Sequence, residues 1–181
     1  MSVANVTAVH SSPDHSFSKR PLDAIEVVAG LGVVGDAHMG AQVKHRSRVR
    51  ADPTQPNLRQ VHLIATEVLD ELAGDGFEVA PGALGENLTT TGLDLMSLPV
   101  GATLAVGDDA LLAVTGFRNP CGQINGLHEG LMARMRPLDA DGDLAPLAGI
   151  MTVVVHGGAI RPGDAIAVAR PPGPHRRLQR V

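Results

Sequence analysis

Aromatic residues are nearly missing from this chain: three Phe and neither Trp nor Tyr, 2% of its 181 residues. Single-stranded nucleic acid is held on aromatic stacking platforms and a duplex needs a basic face. At a net charge of −4 the chain favours neither mode. Cysteine is reduced to one, Cys121. A single thiol excludes an internal disulfide, a four-thiolate zinc site and a self-contained iron–sulfur cluster, so any thiol chemistry here is single-sulfur chemistry. Hydrophobic residues reach 44%, yet no run is long enough to cross a bilayer. The opening Met1-Ser2-Val3-Ala4-Asn5 has neither the basic flank nor the apolar core of a signal peptide. The expectation is a cytoplasmic protein with no membrane partner. Lysine is scarce too, present only as Lys19 and Lys44.

What is present is a series of short apolar runs punctuated by glycine. A chain of this length forms one domain with a good core, expected over residues 1–170. Strands are predicted from Val3 to His10, Asp23 to Val28, Val61 to Ile64, Asn87 to Thr91, Thr103 to Val106, Leu111 to Phe117 and Gly149 to His156. Gly107-Asp108-Asp109 predicts a hairpin, and Arg161-Pro162-Gly163-Asp164 predicts another within Ile160 to Ala169. Helices are expected from Thr66, as N-cap, to Gly74, and from Pro120 to about Met135. Many short strands and few helices predict a mainly β fold: a mostly antiparallel β-barrel with peripheral helices. Residues 171–181 turn to Pro and Arg without apolar periodicity, which predicts a flexible, frayed basic tail.

Chemistry concentrates where the Leu111 to Phe117 strand hands over to Arg118-Asn119-Pro120-Cys121. A thiol in the first turn of a helix, beside a guanidinium, is biased towards the thiolate, making Cys121 a candidate nucleophile or soft-metal ligand. A lone cysteine is also commonly a small buried hydrophobe. Upstream, Gly30 to Gly40 carries Asp36 and His38 on a glycine-rich loop, where Asp36 is either a functional group or a turn cap. Gly30, Gly32 and Gly35 fit the dinucleotide spacing, but no helical stripe follows. Lys44, His45, Arg46, Arg48 and Arg50 form a basic stretch that suits a phosphate or is simply a solvated loop. His62, inside a strand, reads as a hydrogen-bonded structural residue. The spacing of His38, His45 and His62 matches no recognised metal pattern. Asp139 to Asp143 resembles a calcium loop only superficially, lacking its bidentate glutamate.

Five segments in order carry a family resemblance: G-L-G-V-V-G-D-A-H-M-G, P-G-A-L-G-E-N-L-T-T-T-G-L-D-L, L-P-V-G-A-T-L-A-V-G, T-G-F-R-N-P-C-G-Q-I and H-G-G-A-I-R-P-G-D. Together they resemble the MOSC domain, named after the C-terminal part of molybdenum cofactor sulfurases. The resemblance implies a β-barrel and a pocket for the molybdenum cofactor (molybdopterin), a pterin that carries a phosphate and holds the metal through a dithiolene. It makes Cys121 the molybdenum ligand of a reductase or, alternatively, the persulfide site of a non-catalytic sulfur or cofactor carrier delivering to another enzyme. Asp36 and His38 become candidate proton donors. Arg118, Asn119, Lys44, Arg46, Arg48, Glu86 and Asn87 become candidate cofactor-binding residues. The chain has no room for the pyridoxal-phosphate domain of the long family members, and no cysteines for an iron–sulfur extension. The implied reading is an oxidoreductase acting on small N-hydroxylated compounds, with electrons from a separate donor protein.

Overall fold

The computed structural model describes residues 3–44, 46–120, 122–138, 142 and 145–181, the side chains of Arg46 and Ser47 excepted. Cys121, His45 and most of Asp139 to Asp143 thus lie outside the described residues. The described chain is mainly β and mostly antiparallel. Its strands are β1 (Asn5–Ser11), β2 (Arg20–Leu22), β3 (Ile25–Val28), β4 (Gly32–Val33), β5 (Val61–Ala65), β6 (Leu88–Thr91), β7 (Thr103–Val106), β8 (Ala110–Phe117), β9 (Ile150–His156), β10 (Gly158–Ile160) and β11 (Ile166–Ala169). They form an eight-stranded sheet, β11-β7-β8-β9-β5-β6-β1-β2, and a three-stranded sheet, β10-β3-β4. No helix is long and apolar enough to cross a membrane among the described residues.

Side-chain alternation sets the faces. On β8, Ala110, Leu112 and Val114 point into the main core, with Leu104 and Val106 of β7 and Val154 of β9. A fully buried Leu, Ile or Val contributes about 2 kcal/mol each by leaving water. On β1 strict alternation fails: Val6 and Val9 both reach the core because the β6 register skips Thr7, leaving an extra residue that turns the strand. Central β5 is buried on both faces. Leu63 enters the main core and Ile64 a second one, built from Leu69 and Leu72 of α2 (Thr66–Gly74) with Ile124, Leu131 and Met135. Strands β5 and β6 pair in parallel, α2 lying between them in sequence, as a parallel pair requires.

Several expectations are corrected. The helix from Pro120 to Met135 is broken into a 3₁₀ turn (Gly122–Gly126) and the short α3 (Leu131–Arg134). Gly122, Gly126 and Gly130 weaken helix propagation, and Gly130 adopts φ of 83° at the boundary. Thr66 does not cap α2; Ala65 is the N-cap, and the Thr66 hydroxyl pairs with that of Thr7. Ile160 to Ala169 is not a hairpin, because β10 pairs with β3 and β11 with β7. In the strand order β11 and β2 are the outer strands, and the approach to β11 meets the start of β1 in the Asn5 to Ala165 bridge and in backbone hydrogen bonds from Val6 to Asp164, Gly163 to Val6 and Ile166 to Ala4. Residues 171–181 make backbone and core contacts. Phe117 N–H donates to the Gln179 carbonyl at 2.9 Å, Val100 N–H donates to that of Arg176 at 3.1 Å, and Leu178 packs on the main core. That leucine supplies the apolar anchor that composition alone concealed.

Candidate functional site

The glycine-rich loop after β4 is folded by Gly35, in the left-handed region at φ 76°, and by Ala37 N–H donating to the Ser12 carbonyl at 2.8 Å. This presents Asp36 inward, beside the end of β1. One carboxylate oxygen, Oδ2, meets Lys19 Nζ at 2.7 Å, with both side chains at most 5% exposed. The other, Oδ1, accepts from the backbone N–H of His38 at 2.9 Å and lies 3.2 Å from its Nδ1. Burial pushes the Asp36 carboxyl up, but hydrogen bonds from His38 and the Lys19 charge outweigh it and hold the group well below the usual carboxylate range. Asp36 is therefore an ionised acceptor. For Lys19, burial outweighs Asp36 and lowers the ammonium from its ordinary value.

Asn87, just before β6, ties the loop to two strands. Its Nδ2 donates to the His10 carbonyl at 3.1 Å and to Asp36 Oδ2 at 3.0 Å, while Oδ1 accepts from the His62 N–H at 3.2 Å. Both amide hydrogens are spent within the protein. Asn87 organises the centre and keeps no donor for a ligand. Its neighbour Glu86 is fully buried; Oε1 accepts from the Gly82 N–H and the Thr89 hydroxyl, whereas Oε2 has no hydrogen-bond partner among the described residues. Burial raises its carboxyl above the ordinary range despite the Gly82 bond and the Arg118 charge. A β-carbon on Gly82 would meet the His10 ring at 2.7 Å, so this backbone approaches closely only because it is glycine. His10 is 1% exposed, its Nδ1 also without a partner, and burial, then the Lys19 charge, lowers it to about 4.

Arg118 closes the set from the end of β8. Its backbone N–H donates to the Gly149 carbonyl at 3.0 Å, and its guanidinium lies 5.8 Å from the Phe17 ring centroid. Its charge acts on Lys19, His62 and Glu86. His62 does serve as a structural residue, its Nε2–H donating to the Ala148 carbonyl at 2.7 Å; burial, then Arg118, keeps it neutral. Two basic side chains, Lys19 and Arg118, two carboxyls, Asp36 and Glu86, and the imidazoles of His10 and His62 thus converge.

Of the residues singled out in the sequence, Asp36, His38, Glu86, Asn87 and Arg118 meet here. Lys44 is brought alongside by its backbone, its carbonyl 3.0 Å from His15 Nε2, whose ring stands edge-on to His38 at 5.1 Å. Arg48 and Arg50 lie on α1 (Arg46–Ala51), half-buried and exposed, and form no ion pair among the described residues. Asn119 is half-buried. Sequence reasoning missed Lys19 and His10. The scarcity of lysine was the one available signal, but nothing local showed its burial. Two grooves of about 370 and 380 Å³ lie elsewhere, and none of their lining residues belongs to this set.

The donor set bears on the group the resemblance implies. Among the described residues no three His, Cys, Asp or Glu side chains gather to hold a metal. A metal here would need most of its ligands from a cofactor. The two basic side chains, Lys19 and Arg118, and the unpartnered buried oxygen of Glu86 fit an anionic, hydrogen-bonding cofactor.

The family model for the MOSC domain matches residues 36–167. No curated protein matches the chain. Among solved structures it is similar to the YUAD protein from Bacillus subtilis, with TM-score 0.75 and 24% identity over 94% of this chain and 98% of that one. It is also similar to YiiM from Escherichia coli, with TM-score 0.65 and 20% identity over 97% and 74%. YiiM from Geobacillus stearothermophilus gives TM-score 0.63 and 18% identity over 92% and 75%. These likenesses concern the fold.

Proposed function

The chain belongs to the MOSC domain family, and from that premise we propose that it binds the molybdenum cofactor and reduces N-hydroxylated compounds, with Cys121 as the protein's ligand to the metal. The observation that carries this reading is the buried meeting of Lys19, Asp36 and Glu86 with Arg118 at the end of β8, three residues before Cys121 in the sequence. The closed barrel belongs to the same reading, with the Asn5 to Ala165 bridge as its seam.

The cofactor, when bound, supplies two-electron chemistry at a soft, high-valent metal, for which a thiolate is a suitable donor. The chain's own residues do the rest. Arg118, with its rigid donor fork, and Lys19, as a point charge, hold the anionic part. Asp36 fixes Lys19 and His38; being ionised, it is not the proton donor. Glu86, whose carboxyl burial raises above its ordinary range, keeps Oε2 free of protein partners among the described residues and so open to a hydrogen bond inside the centre. His38 touches Asp36 on one side and is 28% exposed on the other, which suits passing a proton in from solvent. Electrons come from a separate donor protein.

The test is metal analysis of protein made in a host that synthesises the cofactor and in one that does not, for the parent and Cys121→Ser. Reduction of an N-hydroxylated amidine with a chemical electron donor is measured alongside. The expected result is molybdenum only from the competent host, turnover by the parent, and a folded, inactive mutant, since a hard, protonated hydroxyl cannot replace a thiolate. Cofactor without turnover in the parent makes the protein a carrier. A parent that never acquires molybdenum sinks both.

A further inference from the structure

We propose that residues 171–181 form a strap that holds the end of β8, Gly116 and Phe117, in place before Arg118, so that the position of Arg118 depends on a segment outside the matched family domain. The inference goes beyond the functional reading above and holds whether Cys121 ligates metal or carries sulfur. Strand β8 is flanked by β9 on one side along its length, but β7 pairs with it only from Ala110 to Ala113. Beyond that point Val114 is met by the backbone of Gly101 and Ala102, and then the edge is vacated. The strap fills this vacancy. Phe117 N–H donates to the Gln179 carbonyl at 2.9 Å, Phe117 bridges Arg180 in parallel, and Val181 N–H faces the Phe117 carbonyl at 3.5 Å.

Gly116 is the seat. A β-carbon there would run into the Gln179 carbonyl oxygen and come within 2.7 Å of the Val181 side chain. Upstream, Leu178 packs on the main core and Val100 N–H donates to the Arg176 carbonyl at 3.1 Å, anchoring the strap at a second place. The last strand residue before the loop, Phe117, is therefore held between Ile150 of β9 and the strap, and the next residue, Arg118, is bonded to Gly149. Without the strap, one side of this stem loses its backbone partners, and an unpaired strand end frays. Arg118 would then sample several positions, a change that a thiol three residues on in the sequence can report.

The test compares the parent with a chain lacking residues 171–181 and with full-length Gly116→Ala, which displaces the strap without shortening the protein. Because Cys121 is the only cysteine, the pH dependence of its alkylation by iodoacetamide reports the loop directly. Amide exchange reports Phe117 and Arg118. Both variants are expected to exchange these two amides at least tenfold faster than amides in β5, with a shifted alkylation profile. A peptide of residues 171–181 should restore the truncated chain but not Gly116→Ala. If truncation prevents folding, Gly116→Ala decides. Unchanged alkylation and exchange would overturn the proposal. So would a uniform loss of protection across the chain with an unchanged alkylation profile, because the segment would then be a general stabiliser.

Discussion

Lys19 and Asp36 show how one pair can hold a centre together while adding little net stability. Two charges at 2.7 Å, both almost wholly buried, repay their desolvation only while both are present. Lys19→Met alone leaves a buried carboxylate without its cation and should cost about 3–5 kcal/mol. Asp36→Asn should cost a similar amount, and the double variant distinctly less than the sum, as urea midpoints of the four proteins would show. Additive losses would mean that the pair is not coupled. His10 carries the pH dependence. Its imidazole falls from the ordinary 6.5 to about 4, so the unfolded chain binds a proton that the native one refuses between those values. Stability is then full above about 6.5 and declines as pH falls towards 4, by about 3 kcal/mol at most at 1.4 kcal/mol per pH unit. Replacing His10 by Gln should flatten the urea midpoint across that interval. Glu86 acts oppositely, its raised carboxyl favouring the native state on the acid side.

At the scale of elements, glycine decides where strands come close. Gly149 has φ 76°, and a β-carbon on it would strike the Leu63 carbonyl of β5. Gly163 has φ 96° with nothing within 4 Å. Alanine at 163 should therefore cost only the backbone strain, about 1 kcal/mol, whereas alanine at 149 must also push β5 from the entry to β9. A melting temperature lowered several times more for Gly149→Ala than for Gly163→Ala is the expected outcome; equal losses would remove the packing argument. Most strands were legible because apolar runs bounded by turn residues are local signals, as with β7, Gly107-Asp108-Asp109 and β8. The partner of a strand is not local. Arg161-Pro162-Gly163-Asp164 makes a real turn, but β10 and β11 leave it for different sheets. Three glycines between Gly122 and Gly130 outweighed the apolar spacing that predicted one helix.

For the whole molecule, a net charge of −4 says little about a buried centre where Lys19 and Arg118 meet. The sequence by itself determined the mainly β class, the presence of a single thiol and the family, and it singled out Asp36, His38, Glu86 and Arg118, since each rests on composition or on contiguous motifs. Only the tertiary structure decided that Lys19 and His10 join them. They come from the first strand and the loop beyond it, and burial, which shifts their protonation, depends on residues distant in the chain. The same holds for residues 171–181. Polar composition predicted fraying, but the vacant edge of β8 that receives them exists only once β7 has ended and the sheet has formed.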